Sequence, residues 1–149
     1  MSFNKRLKNE LIRLKKDGGK SGLRLEVDET NNRRWLISFT GPEGSLYEKE
    51  ELQLQFTFPD MYPIKPPEVK FVSNVPIHPH VYSTGEICLS ILQDDWTPEL
   101  TVESVSLSIM SMLASCKEKK RPPDDRIVSN TLFRRVVKKL TFYFDDDDV

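Results

Sequence analysis

Two histidines and two cysteines hold most of the nucleophilic and proton-handling potential of this sequence, and His78, His80 and Cys88 stand within eleven residues of one another. Cys116 lies further on. A thiolate can act as nucleophile or as metal ligand, so three chemistries compete for these residues. A cysteine-protease pair would need a histidine oriented by a third group, and no protease-type flank surrounds Cys88. A zinc site built from His78, His80, Cys88 and Cys116 would be expected to show paired CxxC or HxxxH spacing, which is absent. A thiol can also be a small buried hydrophobe. That reading fits Cys116, near the end of an apolar helical pattern, but not Cys88 in an aperiodic loop.

The elements that must position these residues can be read from periodicity. Phe3, Leu7, Leu11 and Leu14 predict an amphipathic helix over residues 3–16, with Ser2 as N-cap, Lys15 and Lys16 at its C-terminal dipole and Gly18-Gly19 as its stop. Its outer face is expected to show Lys5, Arg6, Lys8 and Arg13 against a lone Glu10. Four strands should follow, with alternating Leu23/Leu25/Val27, Trp35/Ile37/Phe39, Leu52/Leu54/Phe56/Phe58 and Val69/Phe71. Asn31-Asn32 and Gly41-Pro42-Glu43-Gly44 supply turn chemistry for antiparallel hairpins. Pro59, Pro63, Pro66 and Pro67 impose an extended connection into the last strand.

From Val75 to Pro98 the period is lost, and a loop of that length within one domain usually carries function. Val102, Val105, Ile109, Met112 and Leu113 restore helical spacing. Leu107 falls roughly 140° from Val102, off the apolar stripe, between Ser104 and Ser111. Leu132, Phe133, Val136, Val137 and Leu140 predict a last helix. Residues 1–140 therefore read as one α+β domain, and 141–149 as a flexible aromatic and acidic tail ending in Asp145–Asp148.

The chain has 149 residues, 38% hydrophobic and 30% charged, with a net charge of -1. This balance suits a single globular domain and gives no electrostatic case for nucleic acid or an anionic membrane as partner. No apolar run is long enough to span a bilayer, and no signal-type stretch opens the sequence. Two cysteines are too few for a disulfide scaffold, so reduced thiols in cytoplasm or nucleus are expected.

The stretch His78-Pro79-His80-Val81-Tyr82-Ser83-Thr84-Gly85-Glu86-Ile87-Cys88-Leu89, then Trp96-Thr97-Pro98, with Tyr62-Pro63-Ile64-Lys65-Pro66-Pro67 upstream, resembles the ubiquitin-conjugating enzymes. Their signature is His-Pro-Asn, Gly-x-Ile-Cys-Leu and Trp-Ser-Pro in that order. The resemblance implies an α+β fold with an N-terminal helix, a four-stranded antiparallel meander and C-terminal helices. It also implies that Cys88 carries ubiquitin as a thioester, taken from an activating enzyme and passed to a substrate amine. No cofactor is implied, because ATP is consumed by the activating enzyme. A ubiquitin-like modifier other than ubiquitin is an alternative; a non-catalytic binding variant would lack the nucleophile that Cys88 provides.

Where the family has Asn in an oxyanion or loop-ordering role, this chain has His80, whose neutral imidazole can donate one hydrogen bond. Where the family often has Asp two residues past the cysteine, this chain has Ser90. The resemblance assigns the acidic residue near the cysteine to Asp124 or Asp125. Lys5 and Arg6 match contacts with the activating enzyme, and Ile64 and Pro98 match the loops gripped by a RING or U-box ligase. Glu99 replaces a small residue there. Leu107 and Ser111 match the positions that hold the donor ubiquitin.

Ser-Ile-Met-Ser-Met-Leu, Ser-Cys-Lys-Glu-Lys-Lys-Arg-Pro-Pro-Asp and the aromatic-then-acidic ending narrow the resemblance to the W-type branch, which modifies protein N-termini. That branch is Trp-rich where this chain has Phe142-Tyr143-Phe144. The amine chemistry is compatible: an α-amine with a pKa near ~8 is neutral at pH 7 roughly 100-fold more often than lysine near ~10.4.

Overall fold

The structure, a computed structural model, describes residues 4–129. Helix α1 (Lys5–Ser21) leads into strands β1 (Arg24–Val27), β2 (Arg34–Thr40), β3 (Glu51–Thr57) and β4 (Glu68–Val72). A 3-10 turn at Ser90–Leu92 and helix α2 (Val102–Ala114) follow. Residues 125–129 are helical at the end of the described chain. The strands form one antiparallel sheet in the order β1-β2-β3-β4, which is the meander the alternation predicts.

The register explains why the alternation was so readable. Trp35 lies opposite Phe56, Ile37 opposite Leu54 and Phe39 opposite Leu52, while Leu54 and Phe56 face Phe71 and Val69 on the other side. Successive side chains of a strand point to opposite faces, so one face of β2, β3 and β4 is apolar throughout. It joins Val102, Val105, Ile109 and Leu113 of α2, and Leu7 and Leu14 of α1, in a single buried cluster.

Helix α1 departs from expectation at both ends. Its N-cap is Asn4, whose Oδ1 accepts the Leu7 N–H at 3.0 Å, while Ser2 and Phe3 lie outside the described residues. At the other end the helix runs through Gly18 and Gly19 to Ser21. Two glycines cost a helix interior about 1 kcal/mol each and do not by themselves end it. The stop is Gly22, at φ 77°, the left-handed conformation that closes helices. Lys20, rather than Lys15 or Lys16, therefore occupies the last turn. The helix expected around Leu132 to Leu140 and the tail lie outside the described residues.

Glu10 also departs from expectation. It is buried, not part of the outer face. Its carboxylate accepts the Tyr62 hydroxyl at 2.5 Å, the Val102 N–H at 2.7 Å and the Arg6 Nε–H at 3.0 Å. One side chain thereby ties α1 to the proline-rich turn and to the N-terminus of α2. Arg6, half-buried, continues the network by donating to the Leu100 carbonyl at 2.9 Å. Burial and the Glu10 carboxylate together push the Tyr62 hydroxyl well above the usual tyrosine range, so Tyr62 remains a donor.

Removing the carboxylate strands a buried hydroxyl, a helix N-terminal N–H and a guanidinium at once. Glu10→Ala is expected to lower stability by about 3–5 kcal/mol in urea unfolding. A loss below about 1 kcal/mol would show that solvent satisfies these groups.

Candidate functional site

Cys88 is exposed, on a loop held by its own backbone bonds and by side chains beneath it. Its N–H donates to the His80 carbonyl at 2.8 Å. Single bridges join His78 to Val81, Val81 to Ile87 and Lys70 to Glu86. Gly85 is essential to this weave. It sits at φ 94°, and a Cβ there would lie 2.2 Å from the Phe71 carbonyl oxygen, whose own N–H donates to the Gly85 carbonyl at 2.9 Å. The loop can therefore lie flush against β4 only with glycine at this position.

Three buried or half-buried side chains support the loop from beneath. His78 pairs its Nε2 with the Met112 carbonyl of α2 at 3.2 Å and accepts the His80 N–H on Nδ1 at 2.9 Å. That pairing defines the neutral Nε2–H tautomer. It leaves neither ring nitrogen for a metal or for proton transfer with Cys88. Tyr47, fully buried, donates to the Ile77 carbonyl at 2.5 Å and contacts the Cys116 sulfur at 3.3 Å. Arg121 donates to the carbonyls of Pro76 at 2.8 Å, Val81 at 3.2 Å and Val75 at 3.4 Å. None of these roles was read from the sequence; only helical proximity and a tally of unpaired carbonyls would have suggested them.

A groove of about 610 Å³ opens beside the thiol, bounded by His80, Cys88 and Ser90 on one side and by Cys116, Lys117, Glu118 and Lys120 on the other. The His80 ring makes no hydrogen bond among the described residues, and its centroid lies 5.6 Å from that of His78. Asp124 is not part of the groove lining. Both its oxygens accept from the Tyr82 hydroxyl, at 3.1 and 3.2 Å. Asp125 accepts the Ser83 N–H at 2.7 Å. These contacts seat the 122–129 segment on the Tyr82–Ser83 turn. Desolvation, Asp124 and the nearby Cys88 all push the Tyr82 hydroxyl up.

The remaining positions are spread over two surfaces. Ile64 is 67% exposed, and Pro98 is also exposed. Their loops are joined by the Trp96 indole N–H, which donates to the Pro63 carbonyl at 2.8 Å. Lys5 is exposed, whereas Arg6 is held by Glu10 and Leu100. Leu107 and Ser111 are both exposed on α2, one turn apart. They lie beyond a capping box in which Thr101 and Ser104 satisfy each other's backbone N–H groups.

The family model for ubiquitin-conjugating enzymes matches residues 6–140, and the chain belongs to that family. It is 47% identical over 148 residues to a probable ubiquitin-conjugating enzyme E2 W-A of Danio rerio, covering 97% of both chains. Against ubiquitin-conjugating enzyme E2 W of Caenorhabditis elegans it is 49% identical over 148 residues, 97% of this chain and 96% of the relative. These relatives support the W-type branch. Among solved structures, the ubiquitin-conjugating enzyme UbcA1 from Agrocybe aegerita superposes with a TM-score of 0.79 at 42% identity, covering 85% of this chain and 92% of that one. The protein is thus a ubiquitin-conjugating transferase, whose family works in general with ubiquitin, an activating enzyme and ligases.

Burial holds His78 below the ordinary imidazole range, against the smaller upward pull of the Met112 carbonyl. The unfolded chain therefore binds a proton at higher pH than the folded one. The neutral ring's contribution to stability is complete above about pH 6.5 and is lost as pH falls toward the folded-state value. Unfolding measured between pH 8 and 5 should show stability falling with acid. In His78→Gln that component should vanish; an unchanged pH slope would assign it elsewhere.

Proposed function

We propose that Cys88 takes ubiquitin from an activating enzyme as a thioester and delivers it to the N-terminal α-amine of a substrate, with a RING or U-box ligase. The observation that carries this reading is an exposed thiol on a rigid backbone-bonded loop beside an open groove, with His80 at the family's Asn position. In the first step the Cys88 thiolate attacks the thioester carbonyl and the activating enzyme's thiolate leaves. Thioester exchange is nearly balanced, so access and alignment matter more than a strongly shifted thiol. In the second step a neutral amine attacks, the carbonyl oxygen becomes an oxyanion, and Cys88 leaves as thiolate. The His80 imidazole N–H is the donor we assign to that oxyanion.

Asp124 takes the acidic role only through Tyr82, as a positioning residue that holds the segment against the loop. Lys5 is assigned to the activating enzyme, with Arg6 shaping that end of α1 through its pair with Glu10. Ile64 and Pro98 are assigned to the ligase, and Leu107 with Ser111 to the donor ubiquitin. The chain itself is expected to need no cofactor, ATP being used upstream. Two unpaired thiols favour a reducing compartment, cytoplasm or nucleus.

Mixed with ubiquitin, activating enzyme and ATP, the protein should form an adduct that reductant removes and that Cys88→Ala lacks. A reductant-stable adduct, or one that persists without Cys88, would overturn the thioester assignment.

The acceptor is tested on the loaded protein at pH 7. Discharge to a lysine-free peptide with an open N-terminus should exceed discharge to Nα-acetyl-lysine by at least tenfold, within the roughly 100-fold set by the amines' own protonation. Equal rates would remove the N-terminal reading.

A further inference from the structure

We propose that Lys117 and Lys120 select the acceptor amine by placing a positive rim on the groove through which it reaches Cys88. The proposal rests on the α-amine reading above and identifies the residues of this chain that enforce it. After α2 the side chains divide between the groove and the body of the domain. Lys117, Glu118 and Lys120 line the groove, whereas Lys119 leaves it to pair with Glu50 at 3.0 Å and to cover the Tyr47 ring at 4.9 Å. Arg121 turns inward to the carbonyls of Val75, Pro76 and Val81. The groove lining beyond the thiol thus includes two lysines and one glutamate, all exposed. The opposite wall adds His80 and the uncharged Ser90. The carboxylates of Asp124 and Asp125 are engaged by Tyr82 and Ser83.

A net negative rim would gather an incoming ammonium and favour loss of its proton. Here Lys117 and Lys120 outnumber Glu118, so the rim is net positive and repels the cation. The cost falls unequally on the two kinds of amine. At pH 7 the ε-amine is almost wholly protonated, while about a tenth of an α-amine is already neutral. In the reaction the neutral nitrogen bonds to the thioester carbon, the C–S bond breaks, Cys88 departs as thiolate, and the proton of the new amide nitrogen passes to water. The rim leaves that sequence intact and withholds help only from the amine that must first shed a proton.

The test uses full-length protein loaded with ubiquitin and freed of activating enzyme, so effects on loading do not enter. Wild type, Lys117→Gln/Lys120→Gln and Lys117→Glu/Lys120→Glu are each discharged to Nα-acetyl-lysine and to the lysine-free peptide. Charge reversal should raise the lysine-to-α-amine rate ratio roughly tenfold, with the neutral pair between. Added salt should raise wild-type discharge to lysine and lower that of the charge-reversed protein, since the groove is solvent-accessible and screened. A ratio unchanged within twofold, or equal shifts in both variants without a salt response, overturns the proposal. A wild-type protein with no preference for the α-amine overturns the N-terminal reading itself, and the two failures are told apart by the wild-type ratio alone.

Discussion

The carboxylate of Glu10 is where α1, the Tyr62 turn and the start of α2 meet, and no strand ladder joins these three segments. A charge removed from water is tolerable only when its lone pairs are filled, and here a hydroxyl, a helix N-terminal N–H and a guanidinium fill them. The position also places a negative charge at the positive end of the α2 dipole. Its influence extends outward. Tyr62 packs against Trp96, ring centroids 6.0 Å apart, and Trp96 in turn donates to Pro63. The surface carrying Ile64 and Pro98 is therefore held in register with α1 through this buried acid, with Asn4 donating to the Tyr62 carbonyl and Arg6 to the Leu100 carbonyl beside it.

The thiol loop uses a different principle. It has little regular structure, so its carbonyls and N–H groups need other partners, and buried polar groups left unpaired are costly. His78 does so from within the loop while anchoring it to α2, Tyr47 from the β2–β3 connection and Arg121 from the segment after α2. All three supports are donors toward loop or helix carbonyls, and none requires a group to change protonation near neutrality. Burial holds His78 neutral and Tyr47 protonated. The loop is rigid without an acid–base couple next to the sulfur.

The sheet was legible because period-two alternation and a buried face are the same fact seen twice. The boundaries of α1 were less so, since Gly18-Gly19 reads as a stop and only the conformation of Gly22 shows where the stop lies. Glu10 was misread by residue type. It is three residues after Leu7 and four before Leu14, hence on the buried stripe, and spacing outweighed polarity once Arg6 stood four residues before it. The reach of Arg121 and the grouping of Lys117 with Cys88 were not legible at all. Both depend on how an aperiodic segment folds back over a loop well before it, Arg121 reaching carbonyls 40 to 46 residues earlier, which no local pattern encodes.

The site's two properties constrain each other. On the proposed function the carried thioester is already activated, so the protein would need only to hold the carbonyl, shelter the oxyanion and admit an amine. A loop fixed by donors that keep their protons near neutrality supplies the holding, while Asp124 and Asp125 are bonded to Tyr82 and Ser83 and Glu118 stands between two lysines. What then separates one acceptor from another is the free energy of presenting a neutral nitrogen. That quantity belongs largely to the amine and to the charge of the groove it crosses. In the proposed transfer, rigidity at Cys88 and a cationic approach would thus act in the same direction, leaving reactivity to the amine that is neutral before it arrives.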